Sequence, residues 1–323
     1  MSRLGRSLLE ADDPPVKLLF LWAANPVASN PGQNRVRQGL ARDDLFTVVI
    51  ENFQTDTADY ADILLPGTMQ TEHADMHDSY SHMYIQWNEP ISPPRGECLP
   101  HTEIFRRVAR ALALTEPSLF ADDDTIAREL LDSDHPAVAA ISLEALKDRG
   151  WARLEYERPF LPFLETFPTS SGKFEFESER AQADGHGRFP HYVPPRQAGS
   201  GNGESSSFAL VTSATKRMLN TVYGNRDRNA VEGAVTITIH PQDASRLNLA
   251  QGESVRVHND HGEYQAILNC DDKVQPGVAH TPKGFWPRFN GGTSVNAVVA
   301  EESADMADGP MFKDSRVQIE SVV

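Results

Sequence analysis

Residues 17–23 (KLLFLWA), the polar loop 24–31 (ANPVASNP), the segment 33–42 (QNRVRQGLAR) and residues 46–50 (FTVVI) decide the fold of the first half of the chain. The two apolar runs have the length and composition of buried strands. Between them Val36 and Leu40 stand four apart, the spacing of one helix face. Strand, helix, strand at this separation is a βαβ unit, which pairs its strands in parallel. Residues 63–65 before Pro66 read as a third short strand. In such a sheet ligands settle beyond the carboxyl ends of the strands, so the loops 24–31 and 51–57 are the first places to look for a site. An Asn-Pro pair such as Asn25-Pro26 also reads locally as a turn into a helix.

Working outward, residues 102–114 put Ile104, Phe105, Val108, Ala111 and Leu112 on one helix face, with Thr102 as the expected N-cap. Residues 125–131 and 142–149 read as further helices, the second closed by Gly150, and residues 171–176 (SGKFEF) as a turn entering a strand. Residues 179–207 contain AGSGNGESSS and almost no apolar side chains, the composition of a flexible linker. This divides the chain into an α/β domain at 1–178, a linker at 179–207 and a second domain at 208–323. The second domain reads as strands at 208–212, 234–239, 254–258, 264–268 and 277–280, with a short helix at 243–247 and a hairpin turn at Asn259-Asp260-His261-Gly262. Such strands pack most naturally as a β-barrel of six or seven strands.

The chain has 323 residues, enough for two cores, and 46 acidic against 30 basic side chains give a net charge of −16. An acidic surface repels phosphate backbones, so no nucleic-acid partner is expected. The basic residues divide into 23 Arg and only 7 Lys. A solvated surface encoded by a GC-rich genome and a surface adapted to high salt both fit that asymmetry. The longest apolar run, 16–24, contains Lys17 and is too short to span a bilayer, and the first 15 residues lack a secretory signal, so a cytoplasmic protein is expected. Cys98 and Cys270 stand far apart without CxxC spacing, which excludes a self-contained four-cysteine metal site and reads as two small buried thiols. Dinucleotide, P-loop, nucleophile-elbow and zincin motifs are all missing. His73, His77 and His82, beside Glu72, Asp75 and Asp78, read either as metal ligands or as a polar loop lining a cleft.

Several segments together carry a resemblance. LFLWAANPVASNPGQ, LFTVVIENFQTDTADYADILLPGTMQTEHAD and NEPISPPRGECLPHTEIFRRVARAL, then VTSATKRMLNTVYGN, HPQDASRLNLAQGESVRVHNDHGE and VQPGVAHTPKGFWPRFNGGTSVN, follow in order over residues 17–319. They resemble the C-terminal half of the bis-molybdopterin guanine dinucleotide oxidoreductases, the dimethyl sulfoxide reductase/formate dehydrogenase superfamily. The resemblance implies an α/β open sheet domain followed by a double-psi, aspartate-decarboxylase-like β-barrel. It implies molybdopterin guanine dinucleotide, in its molybdenum bis form, as cofactor and two-electron redox chemistry as the reaction. The metal ligand and the Fe–S cluster would belong to an N-terminal half or catalytic partner chain, so that these residues alone would be inactive, and an electron-transfer subunit would be a further partner. The alternative is a non-catalytic, stand-alone cofactor-binding module.

By the same resemblance the cofactor contacts fall on Asn25, Glu51, His73 and Glu103. They continue along the barrel loop with Thr212, Ser213, Lys216, Arg217, Met218, Leu219 and Asn220, and are completed by Asn296 and Lys313. The chemistry suits these residue types: carboxylates accept from guanine N–H groups, amides pair with pterin and ribose edges, and Lys216, Arg217 and Lys313 neutralise phosphates. Read alone, Glu103 is equally a first-turn carboxylate favoured by the helix dipole, and Lys313 a plain surface lysine. No residue is assigned a direct acid–base or metal-ligand role.

Overall fold

In the computed structural model, which describes residues 2–157, 159–192, 194, 207–216, 218–225, 234–306 and 308–322, the chain forms two compact units. One comprises residues 1–64 with 176–323, the other residues 65–175.

The first unit opens with α1 (Leu4–Glu10), then β1 (Leu18–Trp22), α2 (Pro26–Ser29), α3 (Gln33–Leu40), β2 (Phe46–Glu51) and β3 (Ile63–Pro66). β1 and β2 pair in parallel, with Leu18 opposite Phe46 and Trp22 opposite Ile50, and the sheet order is β1-β2-β3. The βαβ reading therefore holds. α1 was not anticipated. It lies along α3 so closely that a Cβ at Gly39 would sit 2.6 Å from the Leu8 side chain. Leu8, Leu21, Val36, Leu40 and Val49 are the buried centre of this layer.

The second unit holds an antiparallel sheet, β4 (Asp75–His77), β5 (Tyr84–Asn88) and β6 (Trp151–Arg153), packed with α5 (Asp123–Leu131) and α6 (Leu143–Arg149), and α4 (His101–Ala111), whose Arg106 reaches the Ala121 carbonyl and Asp123. Ile85, Trp87, Ala127, Leu131, Leu143 and Leu146 form its core. α4 starts one residue before Thr102: Pro100 is the cap, and its backbone carbonyl accepts the first helical bond, from Ile104. Gly150 closes α6 with φ +80°, as read from sequence. Residues 171–176 make the expected turn but no strand; the Glu175 carboxylate instead accepts from the Ser171 amide and hydroxyl.

Within the stretch read as a linker, Ser178 caps the short helix α7 (Glu179–Ala183), and residues 195–206 lie outside the described residues. Beyond it a barrel closes from β7 (Phe208–Ser213), β8 (Thr236–Ile239), β9 (Ser254–Asn259), β10 (Gly262–Cys270), β11 (Val278–Pro282) and β12 (Arg316–Ser321), in the order β10-β8-β11-β7-β12-β9. A helix, α8 (Pro241–Leu247), follows β8. Period-two alternation turns Phe208 and Leu210, Val255 and Val257, Tyr264 and Leu268, and Val317 and Ile319 inward, all essentially inaccessible to water. Burying each such side chain is worth about 1.5–3 kcal/mol, so the barrel supplies most of this unit's apolar stabilisation. Among the described residues no helix is long and apolar enough to cross a membrane.

The sheet layer and the barrel are joined by polar contacts inside the first unit. Gln33 is fully buried; its Nε2 donates to the Val27 carbonyl (2.7 Å) and to Ser294 Oγ (3.0 Å), and its Oε1 accepts from the Ser294 amide (3.0 Å). Next to it Gly32, at φ +62°, donates to the Val299 carbonyl, and a Cβ there would lie 2.9 Å from the Glu301 side chain. Buried Glu301 accepts from the Arg6 amide and pairs with Arg35 at 3.4 Å. An unpaired buried polar group costs about 1–3 kcal/mol. Gln33→Leu, which orphans the Ser294 amide and the Val27 carbonyl together, is expected to cost about 2–4 kcal/mol in urea unfolding, and Ser294→Ala about 1 kcal/mol. Equal losses in the two variants would show that the amide is not the joint.

Candidate functional site

A cavity of about 230 Å³ opens inside the first unit. α2 contributes Ala28 and Ser29, the loop after β7 contributes Asn220 and Thr221, and the segment after β11 contributes Lys283 and Gly284. Asn296, from the single turn Val295–Ala297, and Phe312 complete the wall. Buried Asn296 donates its Nδ2 to the Ala28 carbonyl at 2.8 Å, tying the barrel to α2 at the cavity's edge.

The loop after β7 is held by contact with the segment after β11. Asn220 has φ +50° and Gly284 φ +98°, and a Cβ on Gly284 would fall 1.9 Å from the Asn220 carbonyl oxygen. Trp286 Nε1 donates to the Thr221 carbonyl at 2.8 Å. The Lys283 amide donates to the Ser213 carbonyl at 2.9 Å, and Ser213 Oγ and His280 Nε2 share a hydrogen bond of 2.7 Å. Among the described residues Lys283 is the ionisable side chain on the wall, and no carboxylate of theirs lines the cavity with it. Its Nζ stands 5.8 Å from the Phe312 ring centroid.

The two loops that follow the parallel strands meet beside this cavity. Asn25, buried at the start of α2, accepts through Oδ1 from the Thr57 amide (3.2 Å) and hydroxyl (2.8 Å), and its Nδ2 finds no acceptor among the described residues. Arg288 from the barrel segment clamps the second loop: its amide donates to Asp56 and its guanidinium to the Thr55 carbonyl and to Asp59. Glu51, half-buried at the end of β2, has its carboxyl pushed above the ordinary range by burial, only partly opposed by the Asn52 amide that it accepts from.

Of the residues named from sequence, Asn220 and Asn296 line the cavity, and Asn25 stands at the head of the helix that does. Thr212 is buried on β7 opposite Thr281, and Met218 is buried with its amide on Thr215 Oγ1. Leu219, Lys216 and Lys313 are exposed, the last directly after Phe312. Arg217 lies outside the described residues.

In the second unit, His73 Nδ1 bonds Thr68 Oγ1 at 2.9 Å, and Asp75 stands 4.0 Å from His73 and 3.9 Å from His77. His82 instead meets the Tyr84 ring. Among the described residues no group of three or more His, Cys, Asp or Glu side chains is arranged to hold a metal ion. Glu103 pairs with Arg107 (3.1 Å), Arg110 (3.4 Å) and Arg106 (3.7 Å), and the Arg107 guanidinium chiefly holds its carboxyl below the usual range. The sequence reading missed Lys283, Gly284 and Phe312; the only local signal for the first two was a Lys-Gly pair following a strand.

An α/β layer fused to a closed barrel, with a cavity between loops of both that carries a lysine and two asparagine amides on a mainly apolar wall, is the arrangement of a ligand-binding class of protein. Residues 5–111 match the molybdopterin oxidoreductase family and residues 208–316 the molydopterin dinucleotide binding domain. The chain belongs to the dimethyl sulfoxide reductase superfamily of molybdopterin oxidoreductases.

It is 36% identical to the Bacillus subtilis protein named Probable oxidoreductase YoaE, over 100% of this chain and 46% of that protein. Dimethyl sulfoxide reductase DmsA of Escherichia coli is 24% identical over 96% of this chain and 42% of its own length. Acetylene hydratase from Pelobacter acetylenicus has the same fold, with a TM-score of 0.81 at 21% identity over 98% of this chain and 46% of that one. The chain thus spans about half the length of the relatives it matches.

Gly284 and Gly291 both have positive φ, but only Gly284 has a backbone atom in the way of a side chain. Gly284→Ala is expected to lose at least about 1–3 kcal/mol more than Gly291→Ala in thermal unfolding, because the Asn220 loop must move as well. Matching losses would mean that the loop yields freely.

Proposed function

We propose that this chain is the C-terminal part of a molybdenum-dependent oxidoreductase and that it binds molybdopterin guanine dinucleotide. The observation that carries the reading is the cavity in which, among the described residues, Lys283 is the charged side chain, walled by the amides of Asn220 and Asn296 and headed by Asn25, whose Nδ2 finds no acceptor among them. A cation with donor amides around it matches an anionic, acceptor-rich dinucleotide. At about 230 Å³ the cavity is smaller than the roughly 300–1,000 Å³ of whole-ligand pockets, so it takes one segment of the cofactor and leaves the rest to surrounding surfaces.

When bound, the bis-dinucleotide group supplies two-electron redox chemistry at its metal. This chain's residues bind and orient it. Thr212 and Ser213 at the end of β7 and Lys216, Arg217, Met218, Leu219 and Asn220 after it are the residues that contact a dinucleotide, with Asn296, Lys283 and Lys313 closing the site. Asn25 Nδ2 donates to the cofactor, Glu51 accepts from guanine N–H groups, and His73 and Glu103 are further contacts. The working modules are residues 1–178, the linker 179–207 and the barrel 208–323. The parallel pairs β8–β10 and β7–β11 within an otherwise antiparallel barrel support a double-psi, aspartate-decarboxylase-like topology. The metal ligand, an Fe–S cluster and the contact with an electron-transfer subunit belong to the remaining part of the enzyme, without which this chain is inactive.

The test is cofactor retention in the assembled enzyme, read as guanosine monophosphate released by acid per protein. Lys283→Met is expected to lower retention about 10- to 100-fold, the worth of a charge-assisted hydrogen bond of about 1.5–3 kcal/mol, while exposed Lys173→Met leaves it unchanged. Absence of the nucleotide from the unsubstituted enzyme would sink the reading.

Glu51 gives a pH signature. Its raised folded-state pKa means that the native state holds a proton more tightly than the unfolded chain, so stability is lost as pH rises from the unfolded value through the folded one. Glu51→Gln should raise the melting temperature of the cofactor-free chain at about pH 7 and bring no gain at about pH 3.5, where both states are protonated. A gain of the same size at both values would contradict this account of the carboxyl.

A further inference from the structure

β7 and β11 run side by side and parallel, with Val211 opposite His280 and Ser213 opposite Pro282. Both strands therefore deliver their carboxyl ends to one place. Ser213 leads into the loop that brings Asn220 and Thr221 to the cavity, and Pro282 leads into Lys283 and Gly284 on its wall. Period-two alternation turns Leu210 and Ala279 into the barrel core, which leaves Ser213 and His280 on the outer face. There Ser213 Oγ and His280 Nε2 stand 2.7 Å apart, both partly exposed.

A hydroxyl has one proton and two lone pairs, so what Ser213 can offer a ligand depends on which way this bond runs. An unprotonated imidazole nitrogen is a stronger base than a hydroxyl oxygen. Next to neutral His280 the Ser213 proton is therefore directed to Nε2, and the hydroxyl turns lone pairs outward, which repel a phosphate oxygen. On an imidazolium Nε2 must donate; the Ser213 oxygen accepts, and its O–H is released to donate elsewhere. Among the described residues, Val211 on β7 and Thr238 on β8 face His280 across the flanking strands, and Thr238 Oγ1 accepts from Asn269 Nδ2 at 3.3 Å. None of these ionises. Of the ionisable groups nearby in the chain, Lys283 follows β11 on the cavity wall and Lys216 is exposed beyond Ser213. His240 and Asp243 stand at the opposite end of β11, where His240 Nδ1 accepts from the Gln242 amide and Asp243 from the Gly277 amide.

We propose that His280 is a positioning residue of the nucleotide site, which decides through Ser213 whether that hydroxyl donates to a phosphate group of the cofactor or withholds its proton. The inference rests on the reading that this site binds a phosphate-bearing dinucleotide, and adds the protonation state in which it does so. With His280 as the imidazolium, the freed O–H and the added charge both favour a phosphate oxygen. With His280 neutral, neither does. The bond from the Lys283 amide to the Ser213 carbonyl keeps the hydroxyl beside the cavity wall in both states. Because coupling between two binding events is reciprocal, a phosphate group held by Ser213 draws a proton onto His280. Imidazoles change charge between about pH 5 and 8, so the cofactor is held less firmly as pH rises through that range.

The test follows loss of the cofactor from the assembled enzyme after dilution, read as the guanosine monophosphate that acid still releases per protein. The unsubstituted enzyme should lose it about tenfold faster at about pH 8 than at about pH 6, the effect of one charge-assisted hydrogen bond. His280→Gln, which does not titrate, should lose it at one rate at both values. Ser213→Ala should speed the loss about tenfold at the lower pH and at most about twofold at the higher, because only the protonated partner frees the hydroxyl. His261→Gln, at an exposed histidine in the β9–β10 turn, should keep the parent's profile. In the full chain without cofactor, the His280 imidazole resonance, assigned by its absence from the Gln variant, should titrate about one pH unit higher with inorganic pyrophosphate than without it. If His280→Gln fails to fold, His280→Asn takes its place. A parental pH profile in His280→Gln, an equal effect of Ser213→Ala at both pH values, or an unmoved His280 titration overturns the role of His280. Absence of the nucleotide from the unsubstituted enzyme overturns instead the cofactor reading on which it rests.

Discussion

A buried primary amide is tolerable only when its donors and acceptor are all matched, and the first unit is arranged around one that is. Gln33 spends its two N–H groups on the Val27 carbonyl and the Ser294 hydroxyl and its oxygen on the Ser294 amide. Any shift of the sheet layer against the barrel breaks these bonds in a place that water does not reach, at a cost of several kcal/mol per group in an apolar medium. The start of α3 is therefore fixed to the segment around Ser294, α2 is fixed beside Asn296, and the cavity wall has contributors from both halves of the chain. Residues more than 250 positions apart in sequence become one surface through a side chain that does no chemistry itself.

The arginine excess acquires a structural use in the same joint. Arg37 bonds the Tyr60 hydroxyl and the Gly292 carbonyl, Arg35 pairs with Glu301, and Arg288 spans the Thr55 carbonyl, Asp56 and Asp59. A planar guanidinium can serve several acceptors at once, backbone oxygens included, where an ammonium acts as a point charge. Composition alone could not separate an arginine surface from an arginine joint, because both give the same counts.

What was legible in the sequence was what local pattern encodes. β1, α3 and β2 each carry their own periodicity, and five barrel strands are alternating runs between turn residues. β12 escaped because RVQIES has only Val317 and Ile319 to mark a face, after a long irregular approach. β4 and β6 are three residues each, too short for any period to show. α1 contains Gly5 and lacks a side-chain cap, so its helix is made by packing on α3 and not by propensity. Asn220 and Asn296, named through the family resemblance, lie on stretches that meet at the cavity, and Asn25 heads the helix beside them. Lys283 was not named, because a lysine after a strand looks the same whether it faces water or a cavity. The close approach of Gly284 to Asn220, with the Lys283 amide on Ser213 and Trp286 on Thr221, sets how that segment runs past the loop.

Net charge is for the same reason a poor guide to what this protein binds. With 46 carboxylates in 323 residues, the mean field disfavours an anion, yet no carboxylate among the described residues lines the cavity. Beyond a Debye length of about 8 Å at physiological ionic strength, exposed charges are largely screened, so the groups within a few ångströms set the preference. Among the described residues those polar groups are a lysine, two asparagines and small hydroxyls, all able to donate. Glu51, the carboxyl nearest in sequence to the parallel strands' outlet, is held half-buried, where ionisation is disfavoured until a donor meets it. Next to the cavity the described lysine and amides, and not the mean surface charge, therefore set the local field. The acidity of the whole chain and the sign of charge at the cavity are thus separate quantities, fixed by different residues.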